Sequence, residues 1–254
     1  MLEGWYHAHG RHELPWRATR DRWTVLVSEV MLHQTQVPRV AAAWPAFIAS
    51  FPNVDAMAAA PPGDVIRAWG RLGYPRRARR LWEAAGRIAR DGWPDDLSEL
   101  PGVGRYTAAA VRAQADGDDV AAVEVNVRRV VERVRGVRLT DRDAEQAAIE
   151  IGRPLRGRDR LLALMDVGAL VCRARQPACD ACPLRRRCVT RGVRADERRS
   201  RQSRFEGSFR QRRGQVLAAL RTGPTDTGAI DRDALESLVS DGLAVVDGTS
   251  ARLP

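Results

Sequence analysis

The 254-residue chain is 44% hydrophobic and 29% charged, ordinary values for a soluble globular protein of one large domain or two small ones. No run nears the roughly 18 consecutive apolar residues of a membrane helix. The N-terminus MLEGWYHAHGRHELPW shows no charged start leading into an apolar stretch, so membrane and secreted classes are set aside and a cytoplasmic protein is expected. The formal net charge of +10, from 42 basic against 32 acidic residues, points to a polyanion and first of all to nucleic acid. The chain contains no lysine, so every one of those cations is arginine, a usage that codon composition alone can also produce.

Residues 1–22 read as a helix end and an irregular loop. From Trp23, WTVLVSEVMLHQTQV spaces apolar residues three and four apart and predicts a helix over 23–37. Pro38 starts or bends the next element, AAAWPAFIASF. PPGDVIRAWGRLG carries Pro and Asp at a helix start and Gly at its end, and RRARRLWEAAGRIARDG is an amphipathic helix ending at Gly92. LSELPGVGRYTAAAVRAQA reads as helix, Gly-rich hairpin, helix. VNVRRVVERVRGV, DAEQAAIEIGRPL and RLLALMDVGALVC continue the helical pattern. Strands and helices do not alternate, so an all-α fold is expected.

Composition shifts after Cys188. Residues 189–204 hold six arginines and two acids, and a basic linker is placed at 191–204 as a solvated or phosphate-contacting arm. RQRRGQVLAAL and RDALESLVSDGL then read as helices, and LAVVDGTSARL as a hairpin turning at Asp247-Gly248. Together they predict a small winged-helix-like appendage over 205–254, packed on the main body.

Two local signals carry chemistry. Cys172, Cys179, Cys182 and Cys188 follow a C-x6-C-x2-C-x5-C spacing and can wrap one metal centre. The spacing alone fits structural zinc and an iron–sulfur cluster about equally, with disulfides a poor third. In LPGVGRYTAAAV, Gly102 and Gly104 permit a tight turn and close backbone approach at the start of a helix, which suits one DNA phosphate.

LPWR (14–17), SEVMLHQTQV (28–37), WGRLGYPRRARRL (69–81), LPGVGRYTAAAV (100–111), VEVNVRRV (123–130) and the four-Cys loop occur in one order over roughly residues 5–190. Together they resemble the helix-hairpin-helix DNA glycosylase superfamily, and more narrowly its MutY-type adenine DNA glycosylases. The resemblance implies a six-helix barrel with the helix-hairpin-helix over 23–135 and a cluster domain built from 1–22 and 136–190. It makes the metal a [4Fe–4S] cluster. It implies double-stranded DNA with mismatched or oxidised base pairs as the partner, and a monomer associated with the nucleoid. The family's usual C-terminal Nudix-like domain is not read in the residues after Cys188.

Excising a base breaks an N-glycosidic bond. The leaving base needs a proton and the sugar gains oxocarbenium character, a problem that paired carboxylates solve in glycoside hydrolysis. By resemblance, Glu29 is the general acid, and its apolar helix raises its pKa. Glu124 stands where the family usually has Asp, one methylene longer, so either the site has adapted or activity is weak or altered. Asn126 orients the site by hydrogen bonds, and Tyr106 orients the carboxylates. Gln34 fills the gap left by the flipped base, and Tyr74 wedges beside the partner base, with Pro75 replacing the family's following Tyr. His33 replaces a Gln and either contacts DNA or sits on the helix surface. Gly102, Gly104 and Arg105 belong to the DNA-binding hairpin. Related bifunctional enzymes place a Schiff-base lysine at the position of Tyr106, so this lysine-free chain is expected to be monofunctional. Two other readings stay open: thymine or uracil excision from mismatches, and a DNA-binding protein whose active site has drifted.

Overall fold

The computed structural model describes residues 1–197 and 204–254, so part of the expected linker over 191–204 lies outside the described residues. Twelve α-helices occur among them. The first six are α1 (Leu2–His9), α2 (Arg22–Leu32), α3 (Val37–Ser50), α4 (Val54–Ala59), α5 (Pro62–Trp69) and α6 (Arg76–Asp91). The others are α7 (Arg105–Val111), α8 (Val125–Arg135), α9 (Asp141–Gly152), α10 (Gly157–Asp166), α11 (Phe209–Thr222) and α12 (Arg232–Ser240). Three short strands complete the set: β1 (Thr225–Asp226), β2 (Val245–Asp247) and β3 (Ser250–Arg252). No helix is long and apolar enough to cross a membrane among the described residues. The chain divides into two compact units, with the boundary inside α2 and inside the Gly-rich hairpin.

The first unit comprises Met1–Glu29 and Val103–Arg199. Its core draws Leu2 and Tyr6 of α1 against Val127, Val130 and Val131 of α8 and Leu162 and Leu164 of α10. The N-terminal segment is also fastened by charge. Arg17 grips the fully buried Asp166 with both ends of its guanidinium, at 2.7 and 2.8 Å, and Arg11 adds its amide at 2.9 Å. Burial alone would raise the Asp166 carboxyl, but these donors outweigh it and hold the group below its ordinary value. Two helices change pitch at their C-terminal ends: α7 runs into a π turn over Arg112–Asp116, and α10 into one over Val167–Val171. Gly168 in the second π turn lies so close to α8 that a Cβ there would meet the Asn126 Cβ at 2.8 Å.

The second unit comprises Val30–Gly102 and Ser200–Pro254. Helix α6 buries Ala78, Leu81, Ala84, Ala85 and Ile88, the stripe its three- and four-residue spacing predicts. Phe47 of α3 meets Trp69 of α5 edge to face, with ring centroids 5.7 Å apart. Helices α11 and α12 pack with a three-stranded antiparallel sheet, order β1-β3-β2, in the manner of a winged helix. Their core of Val216, Leu217, Leu220, Leu235 and Leu238 takes in Ile66 of α5. Arg79 of α6 donates to the Gly242 carbonyl at 2.6 Å. The appendage therefore packs on α5 and α6, adding Ile66 to a core otherwise built from its own residues.

Three expectations change. Helix α2 stops at Leu32 rather than reaching Val37, because Gln34 takes a left-handed conformation, φ 54°. LSE before the hairpin forms only one 3-10 turn, Leu97–Glu99, too short a stretch between Asp96 and Pro101 for a helix. The hairpin loop lies at Gly248-Thr249, one residue later than expected, since Asp247 already pairs with Ser250.

Candidate active site and cysteine centre

Glu29 is the one acid in the apolar run of α2, and it is 4% exposed. Its Oε1 accepts a hydrogen bond from the Gln114 side-chain amide at 2.7 Å, and the Tyr106 hydroxyl bonds the same carboxyl. Burial pushes Glu29 above the usual carboxylate range; the Gln114 and Tyr106 bonds oppose that rise, and the charge of Glu124 adds to it. Tyr106 is itself driven well above its ordinary value, by burial first and then by the charges of Glu29 and Glu124. It is therefore a neutral phenol, a donor to an ionised Glu29.

Glu124 ends an extended stretch and caps α8 with its own side chain. Its Oε2 accepts from the Asn126 amide at 2.7 Å and the Asn126 side chain at 2.9 Å, and its Oε1 from the Val127 amide at 3.0 Å. Burial raises this carboxyl too, while those N–H donors and the Arg129 charge pull toward the anion. Asn126 is held in turn: Arg129 donates to its Oδ1 at 2.9 Å, to the Gly168 carbonyl at 2.7 Å and to the Cys172 carbonyl at 2.7 Å. The structure thus brings Glu29, Tyr106, Glu124 and Asn126 together in one unit. A buried carboxyl shifted toward its neutral form beside a second one rich in N–H donors is an arrangement for general acid chemistry with cation stabilisation.

The expected DNA-contacting residues lie at turns. Gln34 and Tyr74 both take positive φ, 54° and 46°, rare for residues with a side chain, and both are exposed. One guanidinium fastens both turns. Arg77 donates to the Val30 carbonyl at 2.7 Å, Met31 at 3.0 Å and Gly73 at 3.0 Å, and to the Thr35 hydroxyl at 2.8 Å. Thr35 donates to the Leu72 carbonyl at 3.1 Å. Burial lowers Arg77 to about 10. His33 is half-buried rather than on the surface, and burial and then the Arg77 charge lower its pKa.

Gly102 needs its glycine twice, for φ 79° and because a Cβ would meet the Arg80 Cβ at 2.8 Å. Gly104 is extended, φ −95°, and a Cβ there would face open space. It leaves bare backbone at the start of α7, and its extended φ makes no demand for glycine. Arg105 beside it is exposed and pairs with Glu145 at 2.9 Å.

The four cysteines are half-buried and none forms a disulfide. All four line an open recess with Arg133, Val171, Pro177 and Arg191. Among the described residues no three His, Cys, Asp or Glu side chains are placed to hold a single ion. N–H groups already aim at the sulfurs. Arg133 Nη1 lies 3.4 Å from Cys172 Sγ, the Arg191 amide 3.4 Å from Cys188 Sγ, and the Leu184 amide bonds Cys182. Burial pushes the Cys182 thiol up to about 11, and the other three sulfurs add to the rise, so a metal centre here must displace protons.

Gln114 and Arg77 are the site residues that motif reading missed. Gln114 had a signal: it falls on the buried stripe Thr107–Ala110–Val111, where a polar residue is the informative exception. Arg77 had none, since its partners are mostly backbone carbonyls.

A profile of HhH-GPD superfamily base excision DNA repair proteins matches residues 27–154. The chain is 43% identical to the adenine DNA glycosylase of Mycolicibacterium smegmatis, over 95% of this chain and 90% of that protein. It is 41% identical to the adenine DNA glycosylase of Mycobacterium tuberculosis, over 98% of this chain and 91% of the relative. A solved thermostable thymine-DNA glycosylase superposes with TM-score 0.68 at 27% identity, covering 75% of this chain and 93% of that one.

Proposed function

The chain belongs to the HhH-GPD superfamily of base excision DNA repair proteins, and from that premise we propose that it is a monofunctional glycosylase removing adenine mispaired with 8-oxoguanine or guanine in double-stranded DNA. The single observation that carries the chemistry is the buried Glu29 carboxyl facing Gln114 and Tyr106, with Glu124 nearby. The two mycobacterial relatives, adenine DNA glycosylases matched along nearly their whole length, support the choice of base.

Glu29 gives its proton to the adenine ring as the glycosidic bond breaks, and the base keeps the bonding electron pair. Glu124, steadied by Asn126, balances the positive sugar. Water adds to the anomeric carbon and returns a proton to the Glu29 carboxylate, so free adenine and an abasic site are the products. Tyr106 holds the Glu29 carboxyl but forms no Schiff base, and the chain has no lysine to do so. Gln34 and Tyr74 serve the flipped-out state, and Gly102, Gly104 and Arg105 serve the phosphate backbone. The barrel over 23–135, the cluster domain from 1–22 and 136–190, and a monomeric state are part of the same reading.

Cys172, Cys179, Cys182 and Cys188 suit a [4Fe–4S] cluster. Four thiols lining one open recess and met by N–H groups are the donor set of such a cluster, and the superfamily resemblance favours it over zinc. The cluster would fix the loop 172–188.

The thymine-DNA glycosylase likeness favours a second reading, excision of thymine or uracil from mismatches. A base-release panel separates the two. Under single-turnover conditions, A opposite 8-oxoguanine and A opposite G should yield free adenine and strands that break only with alkali. Glu29→Gln should abolish release while keeping duplex affinity, and the purified protein should carry iron rather than zinc. Release only from T:G or U:G duplexes would establish the second reading instead.

A further inference from the structure

Thr107, Ala110 and Val111 form the inward stripe of α7, and the π turn places Gln114 at its end. It is 2% exposed, next in the chain to the buried Ala113. A buried amide is strongly disfavoured unless it finds a partner, and this one faces Glu29 Oε1 at 2.7 Å. It takes no part in breaking or making a bond during excision.

We infer that Gln114 is a positioning residue for the general acid: its amide N–H occupies Oε1 of Glu29, so the transferable proton is confined to Oε2. The inference rests on Glu29 being the proton donor proposed above. The reasoning is stereochemical. The carbonyl-type oxygen of a protonated carboxyl is a far better acceptor than its O–H oxygen, so an N–H held against Oε1 favours the form of Glu29 with its proton on Oε2. Tyr106 cannot make this selection alone, because a hydroxyl both donates and accepts. The same bond favours the ionised carboxylate and so restrains the rise that burial imposes on Glu29.

Removing the amide therefore has two opposite effects. The acid stays protonated to higher pH, and fewer of its protonated molecules point the proton at the base. A residue that merely fills space lowers rate and stability without extending activity toward alkali.

The test is the single-turnover excision rate as a function of pH, on a duplex with A opposite 8-oxoguanine, at saturating full-length protein. In Gln114→Leu the alkaline midpoint should move up by about one pH unit. The low-pH plateau should fall about tenfold or more. A midpoint that stays in place or moves down overturns the inference. If Gln114→Leu does not fold, Gln114→Met, unbranched and of similar length, carries the same expected shift. Glu29→Gln measured alongside separates the two failures: full activity in that variant removes the proton donor itself, whereas its loss with an unmoved midpoint in Gln114→Leu removes only the role of Gln114.

Discussion

Glu124 takes the N-cap of α8, a place where Asp is the commoner acid. Its extra methylene lets the carboxylate fold back over the first turn of α8, where it takes two backbone amides and the Asn126 side chain. Asp is among the best residues for such a cap. Glu124→Asp should therefore keep stability within about 0.5 kcal/mol. Its carboxylate withdraws by about one bond length, so the single-turnover rate should fall roughly 10- to 100-fold. Glu124→Ala should lose about 1 kcal/mol of stability with its cap, and more of the rate than Asp does. A Glu124→Asp protein as fast as the parent would remove the placement argument. The candidate residues Glu29, Tyr106, Glu124 and Asn126 could be picked out beforehand because each lies in a short run whose residue types are chemically distinctive. What motifs leave out is the neighbour supplied by folding: Gln114 is 85 positions from Glu29 and meets it only across the packed unit.

Between α2 and α3 the apolar spacing runs on to Val37, yet the helix ends at Leu32. Periodicity records which face is buried, not where tertiary bonds take over the last carbonyls. Arg77 takes those of Val30 and Met31, and Thr35 reaches the Leu72 carbonyl, so the chain turns early and holds Gln34 at positive φ. A planar guanidinium can span two turns in this way and a single ammonium cannot. Arg77→Ala leaves several buried acceptors without a donor and should cost about 2–3 kcal/mol, read from the urea midpoint at unchanged slope. Arg77→Lys should recover only part of that loss. An unchanged midpoint in Arg77→Ala would mean that the two turns hold themselves. The helices with capping residues and clean stripes, α6, α8 and α12, were legible throughout; the early stop of α2 was not, because its cause lies in another element.

Across the whole molecule the arginine excess serves two ends. Arg17, Arg77, Arg129 and Arg133 are spent inside, on carboxylates and on carbonyls such as that of Cys172. Net charge read from composition therefore overstates the positive surface open to a polyanion. The exposed arginines still predict a steep salt response. Six or more phosphate contacts correspond to a loss of roughly 10³-fold or more in affinity between about 50 and 200 mM salt. A flat response in a duplex-binding titration would assign the excess to internal architecture alone. Fold class and cysteine centre were legible at this scale because composition and local spacing report them, whereas the pitch change after α7 left no compositional trace. That change has a bearing on descent. A π turn is an α-helix holding one residue too many. Losing a single codon within Arg112–Asp116 would return the helix to regular pitch and swing the following side chain about 100° around the axis. A one-residue deletion ahead of Gln114, at Arg112 or Ala113, would thus turn the donor away from Glu29 while changing none of Glu29, Tyr106, Glu124 and Asn126.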